Sequence, residues 1–192
     1  MIATDDFAKV EVTSAHALRA WLEANHAQQD SIWLVTWKKS TPEKYVSTND
    51  VLDELTAFGW IDGVRRKLDD DRTMQLIAPR KVQHWSKSYK DRAARLIEEG
   101  RMAPSGLASI EAGKASDLWS FMDDVDALIV PDDLRLALAA NGPAARYFDD
   151  TPDAYRRNLL RWVKLAKTGT TRQKRVVAIV RACAAEARVP QM

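Results

Sequence analysis

Every strong strand signal in this chain lies before residue 80, and from about Met102 onward the apolar residues recur only at helical spacing. That asymmetry limits the chain to an α+β fold. It predicts a small antiparallel sheet of about three strands packed with helices in the N-terminal half, followed by an all-helical C-terminal half. The run Ser31–Lys38 (SIWLVTWK) is apolar on both faces and rich in β-branched and aromatic residues, as a covered central strand is. Trp60–Leu68 and Thr73–Ala78 read as two further strands, joined into a hairpin by the acidic loop Asp69–Arg72.

The helices announce themselves by caps and stripes. Ser14 opens one that runs to about Ala27, with Leu18, Trp21, Leu22 and Asn25 at helical spacing. Ser47 or Thr48 caps a second, with Val51, Leu52, Leu55 and Phe58 on one stripe and Gly59 as its left-handed stop. Ser86 caps a third, bearing Tyr89, Ala93, Leu96 and Ile97, with Gly100 at its end. Beyond it, helices are predicted over Pro104–Ser116, from Pro131 through Leu134 and Leu138, briefly from Pro143, from Thr151-Pro152 to Lys167, and from Thr171 to Ala187. Asp117–Ile129 is an acidic connector anchored by Trp119 and Phe121. The expected organisation is an α+β domain over 1–101, a connector over 102–130 and a helical module over 131–192.

Composition narrows the class. With 46% hydrophobic and 29% charged residues in 192, the chain is neither disordered, collagen-like nor a coiled coil. No stretch approaches the ~18 apolar residues of a membrane span, and the opening MIATDDFAKVEV carries acids where a secretory leader is basic and then apolar. The single cysteine, Cys183, cannot close an internal disulfide and falls on the apolar stripe Val176, Ile179, Val180, Cys183, Ala184. There it reads as inert packing. The expectation is a cytoplasmic protein without membrane insertion.

The formal net charge of +2 hides a strong segregation. Residues 1–61 sum to −4, 62–101 to +4, 102–154 to −7 and 155–192 to +9, the last from ten Lys and Arg against one Glu. Such a field either steers an anionic partner or docks basic helices onto an acidic neighbour. On the first of the two C-terminal helices Arg157, Arg161 and Lys164 line one face. On the second, Arg172, Lys174 and Arg175 lie near its start, and Lys174, Arg181 and Arg188 recur every seven residues. These are the candidate contacts for nucleic-acid phosphates, and the competing reading is a solvated face neutralised by the acidic 102–154 segment.

Catalytic patterns are sparse. His16, His26 and His84 stand too far apart in sequence to share a helix face as metal ligands. Asp69–Asp71 lacks the glycine and distal Glu of a calcium loop, and the seven glycines never cluster as a phosphate-cradling loop. No metal or cofactor is implied.

The richest segment is GWIDGVRRKL. Strict alternation puts Asp62, Val64, Arg66 and Leu68 on one strand face. If Val64 and Leu68 are buried, Asp62 and Arg66 point inward and need partners. They cannot reach each other, since four strand residues span about 13 Å. Arg80, after the neighbouring strand, is the candidate partner. One reading is a polar pocket walled by Trp60 and Trp85. The other is a structural ion pair among core tryptophans.

Several strings carry a resemblance: FGWIDG at 58–63, PRK at 79–81, WS at 85–86, EGRM at 99–102, PDDLRLAL at 131–138 and WVKLAKTGTTRQKR at 162–175. Together, in order from about Trp21 to Val180, the chain resembles the YdeI/OmpD-associated, or bacteriocin-protection, family. The resemblance implies association with an outer-membrane porin and protection against antimicrobial peptides, without a defined reaction. The family's WS-x-x-N is here WS-x-x-Y, so Tyr89 sets a phenol where an amide is usual. The leading expectation is a non-enzymatic binding or stress-protection protein whose small-ligand site comprises Trp60, Asp62, Arg65 or Arg66, Arg80, Trp85, Ser86 and Tyr89. Aromatic walls with an arginine suit a small planar or anionic ligand. Nucleic-acid binding by the basic helices, and an enzyme using Asp62 as general base, are the alternatives.

Overall fold

The computed structural model describes residues 6–81 and 83–190. Residues 1–5, part of the acidic opening MIATDDFAKVEV, lie outside them. The chain forms two compact units, one up to Ser120 and one from Phe121. Among the described residues no helix is long and apolar enough to cross a membrane.

The first unit runs β1 (Lys9–Glu11), α1 (Ala15–Asn25), β2 (Ile32–Trp37), a 3₁₀ turn (Pro42–Lys44), α2 (Thr48–Ala57), β3 (Trp60–Lys67), β4 (Arg72–Pro79), α3 (Lys87–Glu98) and α4 (Pro104–Ala115). Among the described residues the sheet has four strands rather than the expected three, in the order β1-β2-β4-β3. β1 and β2 are parallel, and the other pairs are antiparallel. The additional strand, β1, holds one apolar residue between two charges and has no strand signal of its own. It is fastened from outside: Glu11 accepts from Trp37 Nε1 at 2.9 Å and from Arg72 Nη1 at 2.6 Å. Arg72 also grips Asp69 through Nε and Nη2 at 2.9 and 2.7 Å, and the backbone N–H groups of Asp71 and Arg72 donate to Asp69 Oδ1. The acidic loop is thereby a hydrogen-bonded turn.

Caps form where the sequence marks them. Ser14 accepts from Ala17 N and Ser47 from Asp50 N, each at about 3 Å. Gly59 is left-handed at φ 74°, and a side chain there would also strike Ser109 of α4. Ser86 departs from expectation. It occupies the N-cap position of α3, but its hydroxyl meets the Ser88 hydroxyl at 3.0 Å instead of a backbone N–H.

Ile32 and Leu34 of β2, Ile77 of β4 and Trp60 of β3 join Leu18, Leu22, Val51, Leu55 and Leu96 in one core between sheet and helices. Beside it lies a second, charged, interior that sequence periodicity does not reveal. Asp53 and Glu54 of α2 are 6% and 4% exposed. Asp53 accepts from Arg92 and from Arg95 Nη2 at 2.6 Å, while Glu54 accepts from Arg19 Nη1 at 3.0 Å and Arg101 Nη2 at 2.8 Å. Four arginines from α1, α3 and the segment after α3 thus converge on two adjacent carboxylates.

The second unit contains α5 (Asp123–Asp126), α6 (Asp132–Ala139), α7 (Gly142–Asp150), α8 (Asp153–Lys164) and α9 (Gly169–Ala184). Pro131 is the N-cap of α6 rather than its first helical residue, and the connector holds a helical turn, α5. Its core comprises Met122, Val125, Leu134, Leu138, Phe148, Leu159, Leu160, Val163, Val176, Ile179 and Cys183. Burial raises the Cys183 thiol above its ordinary pKa, which suits a packing role.

Candidate functional site

The polar cluster of the first unit starts from a bulge. In the β3–β4 ladder Asp62 faces Ile77, but Arg65 faces Gln75, so β3 carries one extra residue between Asp62 and Arg65. Cross-strand partners share a face, so the helix-covered side receives Trp60, Asp62 and then Arg65. Arg66 is turned to the opposite side, its guanidinium 5.2 Å from the Trp33 ring centre. The uninterrupted alternation expected from the sequence is corrected here: Val64 is 49% exposed, and Arg65 rather than Arg66 accompanies Asp62.

A chain of side chains follows. Arg65 Nη2 donates to Gln75 Oε1 at 2.6 Å, Gln75 Nε2 donates to Asp62 Oδ2 at 2.9 Å, and the Tyr89 hydroxyl of α3 donates to Asp62 Oδ1. Both carboxylate oxygens are engaged. Arg80 follows β4 directly, its backbone N–H held by Gly59 O at 2.9 Å. Its guanidinium lies 4.1 Å from the Trp85 ring centre and 4.8 Å from that of Tyr89. Tyr89 therefore stands between Asp62 and Arg80, with its hydroxyl on one and its ring under the other. Burial raises the Tyr89 phenol well above its ordinary pKa, and the Asp62 hydrogen bond and charge add to this, so it remains a donor. Burial lowers Arg80, partly countered by Tyr89 and Asp62.

Arg80 Nη1 reaches the carbonyls of Gln83 and His84 at 3.4 and 3.2 Å, whereas Nη2 is buried with no acceptor among the described residues. Trp85, 1% exposed, packs with its ring tilted at 5.0 Å against Trp119, over which Lys90 and Lys114 lie at 5.5 and 5.6 Å. Gly113 lets Trp85 close: a Cβ there would stand 2.5 Å from the indole nitrogen. Asp62, Arg65, Arg80, Trp85 and Tyr89 come together, with Gln75 as the link that sequence did not single out. Trp60 instead donates its indole N–H to His26 O at 3.2 Å and meets Trp21 edge-on at 5.6 Å, within the core. Ser86 is occupied with Ser88.

In the second unit the acidic segment docks onto the basic helices. Arg172 holds Asp133 in a fork, Nε to Oδ2 at 2.6 Å and Nη2 to Oδ1 at 2.9 Å. Lys164 pairs with Asp124, and Arg157 lies 4.0 Å from Asp153 and donates to Asp126 O at 3.5 Å. Arg175 stacks on Trp162 at 5.2 Å and donates to its carbonyl. Arg161 buries Nε with no acceptor among the described residues, and Lys174 borders a groove along α9. The phosphate-binding set proposed by sequence is thus partly spent within the unit.

The Arg172 hydrogen bond holds the Asp133 carboxyl below its ordinary pKa, burial opposing it less strongly. A depressed folded pKa contributes stability above the unfolded value and loses it as pH falls through the folded one. Acidification from pH 5 toward pH 2 is therefore expected to destabilise this unit, and Asp133→Asn to flatten that dependence while costing stability at pH 7. Urea midpoints followed by circular dichroism at each pH measure it. An unchanged pH profile in the variant would disprove the assignment.

Among the described residues, the chain thus comprises a four-stranded α+β unit with a cation–aromatic cluster and a unit of five helices. Residues 10–109, just over half the chain, match the family model described as a domain of unknown function (DUF8412), and the chain belongs to that family. Residues 127–186 match the model described as Bacteriocin-protection, YdeI or OmpD-Associated. The resemblance traced from Trp21 onward therefore divides: its FGWIDG, PRK, WS and EGRM strings lie in the first match, its C-terminal strings in the second. No curated protein and no solved structure matches the chain significantly.

Proposed function

We propose that the chain is a non-enzymatic binding protein that holds a small anion against Arg80. The observation that supports this reading is the Arg80 Nη2 group, buried with no acceptor among the described residues, beside an aromatic wall of Trp85 and Tyr89. An unsatisfied buried donor costs about 1–3 kcal/mol, and more when charged, so an oxyanion that completes it binds with a large local gain. Asp62 is tied to Tyr89 and Gln75 and serves to position the phenol rather than to accept a proton from a substrate. Bacteriocin protection, which the description of the OmpD-associated family names, would on this reading follow from ligand recognition.

The test is thermal stability of wild type and Arg80→Met with inorganic phosphate, sulfate and benzoate. Methionine keeps a long apolar stem between the rings while removing the donor. Wild type is expected to gain about 2.7 kcal/mol at a hundredfold excess of anion over Kd, and Arg80→Met to gain none. An equal response in both proteins, or none in wild type, overturns the proposal.

A further inference from the structure

An open groove of the second unit runs along α9. It has a volume of about 920 Å³ and is lined by Gln173, Lys174, Val177, Ala178, Arg181 and Ala182, with the chain after α9 forming its other wall through Ala187, Arg188 and Pro190. The α9 contributions extend from Gly169 to Ala182, about 20 Å of helix at ~1.5 Å per residue. A trough of that length fits a segment of chain better than a compact ligand. Its floor is apolar: Val177 is 42% exposed among small neighbours, on the side of α9 away from the buried Val176, Ile179 and Cys183.

The charges around this floor differ from those that pair within the unit. Four basic residues off the groove are matched internally, Arg172 to Asp133, Lys164 to Asp124, Arg156 to Asp153 and Arg135 to Asp132. Lys174 and Arg181, seven residues apart on the groove, make no ion pair among the described residues, and Arg188 is engaged only with the Tyr155 ring at 5.1 Å. Asp124, Asp132, Asp133 and Asp153 pair with basic residues that do not line the groove, and three cations edge its apolar strip. We infer that this groove docks an acidic amphipathic segment of a partner protein, an apolar stripe lying on Val177, Ala178 and Ala182 with carboxylates reaching Lys174, Arg181 and Arg188. A polybasic peptide is repelled by the same rim. Nucleic acid would use the cations but leave the exposed Val177 floor without a partner.

The experiment selects random 14-residue peptides displayed on their own mRNA, using the full chain and its Lys174→Glu/Arg181→Glu variant as separate baits, with circular dichroism confirming that both are folded. Wild type is expected to enrich acidic sequences with apolar residues at i, i+3 or i+4, and i+7, and the variant basic ones. The best wild-type peptide should lose at least tenfold in affinity on the charge-reversed variant and on Val177→Asp. Its Glu→Lys counterpart should recover binding to the charge-reversed variant. Enrichment without a charge preference, or equal affinity for wild type and variant, overturns the inference. So does a labelled single-stranded oligonucleotide that binds wild type more tightly than any selected peptide and is lost in the variant, an outcome that assigns the face to phosphate.

Discussion

Replacing Asp53 by alanine is expected to destabilise the first unit by about 3 kcal/mol, the range in which removal of one partner from a buried ion network falls. Asp53 is 6% exposed and carries hydrogen bonds from Arg92 and Arg95, with Arg101 at 3.6 Å. The loss leaves Arg92, whose side chain is 17% exposed, facing an interior that has no other carboxylate for it among the described residues. Arg95 and Arg101 are more open and can turn to solvent, which holds the cost near the lower end of the range. Glu54→Ala should cost a similar amount. Because Arg101 serves both acids, the double variant is expected to cost less than the sum of the two. Urea denaturation followed by tryptophan fluorescence reads this unit selectively, since six of the seven tryptophans, at 21, 33, 37, 60, 85 and 119, lie in it. A change under 1 kcal/mol for Asp53→Ala would show that the arginines are solvated independently of it.

That network also shows where sequence reading stops. Local signals carried far: the β-branched run of β2, the hairpin with its Asp69 turn, Ser14 and Ser47 as caps and Gly59 and Gly100 at positive φ are each decided by a few neighbouring residues. Carboxylates at 53 and 54 instead look like the solvent side of a helix, because their burial depends on arginines up to 47 residues distant. β1 escaped for the same reason, its order resting on Arg72, 61 residues away. At the candidate site, sequence supplied Asp62, Arg80, Trp85 and Tyr89 but linked Asp62 to Arg80. The structure interposes the Tyr89 phenol, and the bulge exchanges Arg65 for Arg66. A bulge is set by backbone geometry, and only Gly63 hinted at it, since an added Cβ there would lie 3.3 Å from Leu76 O. The division of basic residues into paired and unpaired sets was likewise outside reach, because net charge by segment does not say which side chains meet.

Gly106→Ala separates helix propensity from packing with opposite signs. Gly106 is the third residue of α4, and propensity alone predicts that alanine stabilises the helix by about 1 kcal/mol. Packing predicts the reverse. A Cβ at this position would stand 2.2 Å from Ala57 O and 2.7 Å from Met102 Cε, and the first of these is backbone that cannot swing aside. The same carbonyl accepts from Ala103 N at 3.0 Å, so pushing α4 away to admit a methyl group also breaks the bond that seats its N-terminus on the end of α2. Overpacking commonly costs about 1–3 kcal/mol, and with the lost hydrogen bond the net effect is expected to be a destabilisation of about 3 kcal/mol. Gly142→Ala is the control: it lies at the start of α7, and the nearest atom to an added Cβ is Arg146 Nη1, the mobile end of a side chain, at 3.9 Å. That substitution should be neutral or slightly stabilising. If Gly106→Ala matched Gly142→Ala in urea midpoint, the close approach of α4 to α2 would be refuted. The Gly59 turn and the Trp85–Gly113 contact, which depend on where α4 lies, would then lose their support.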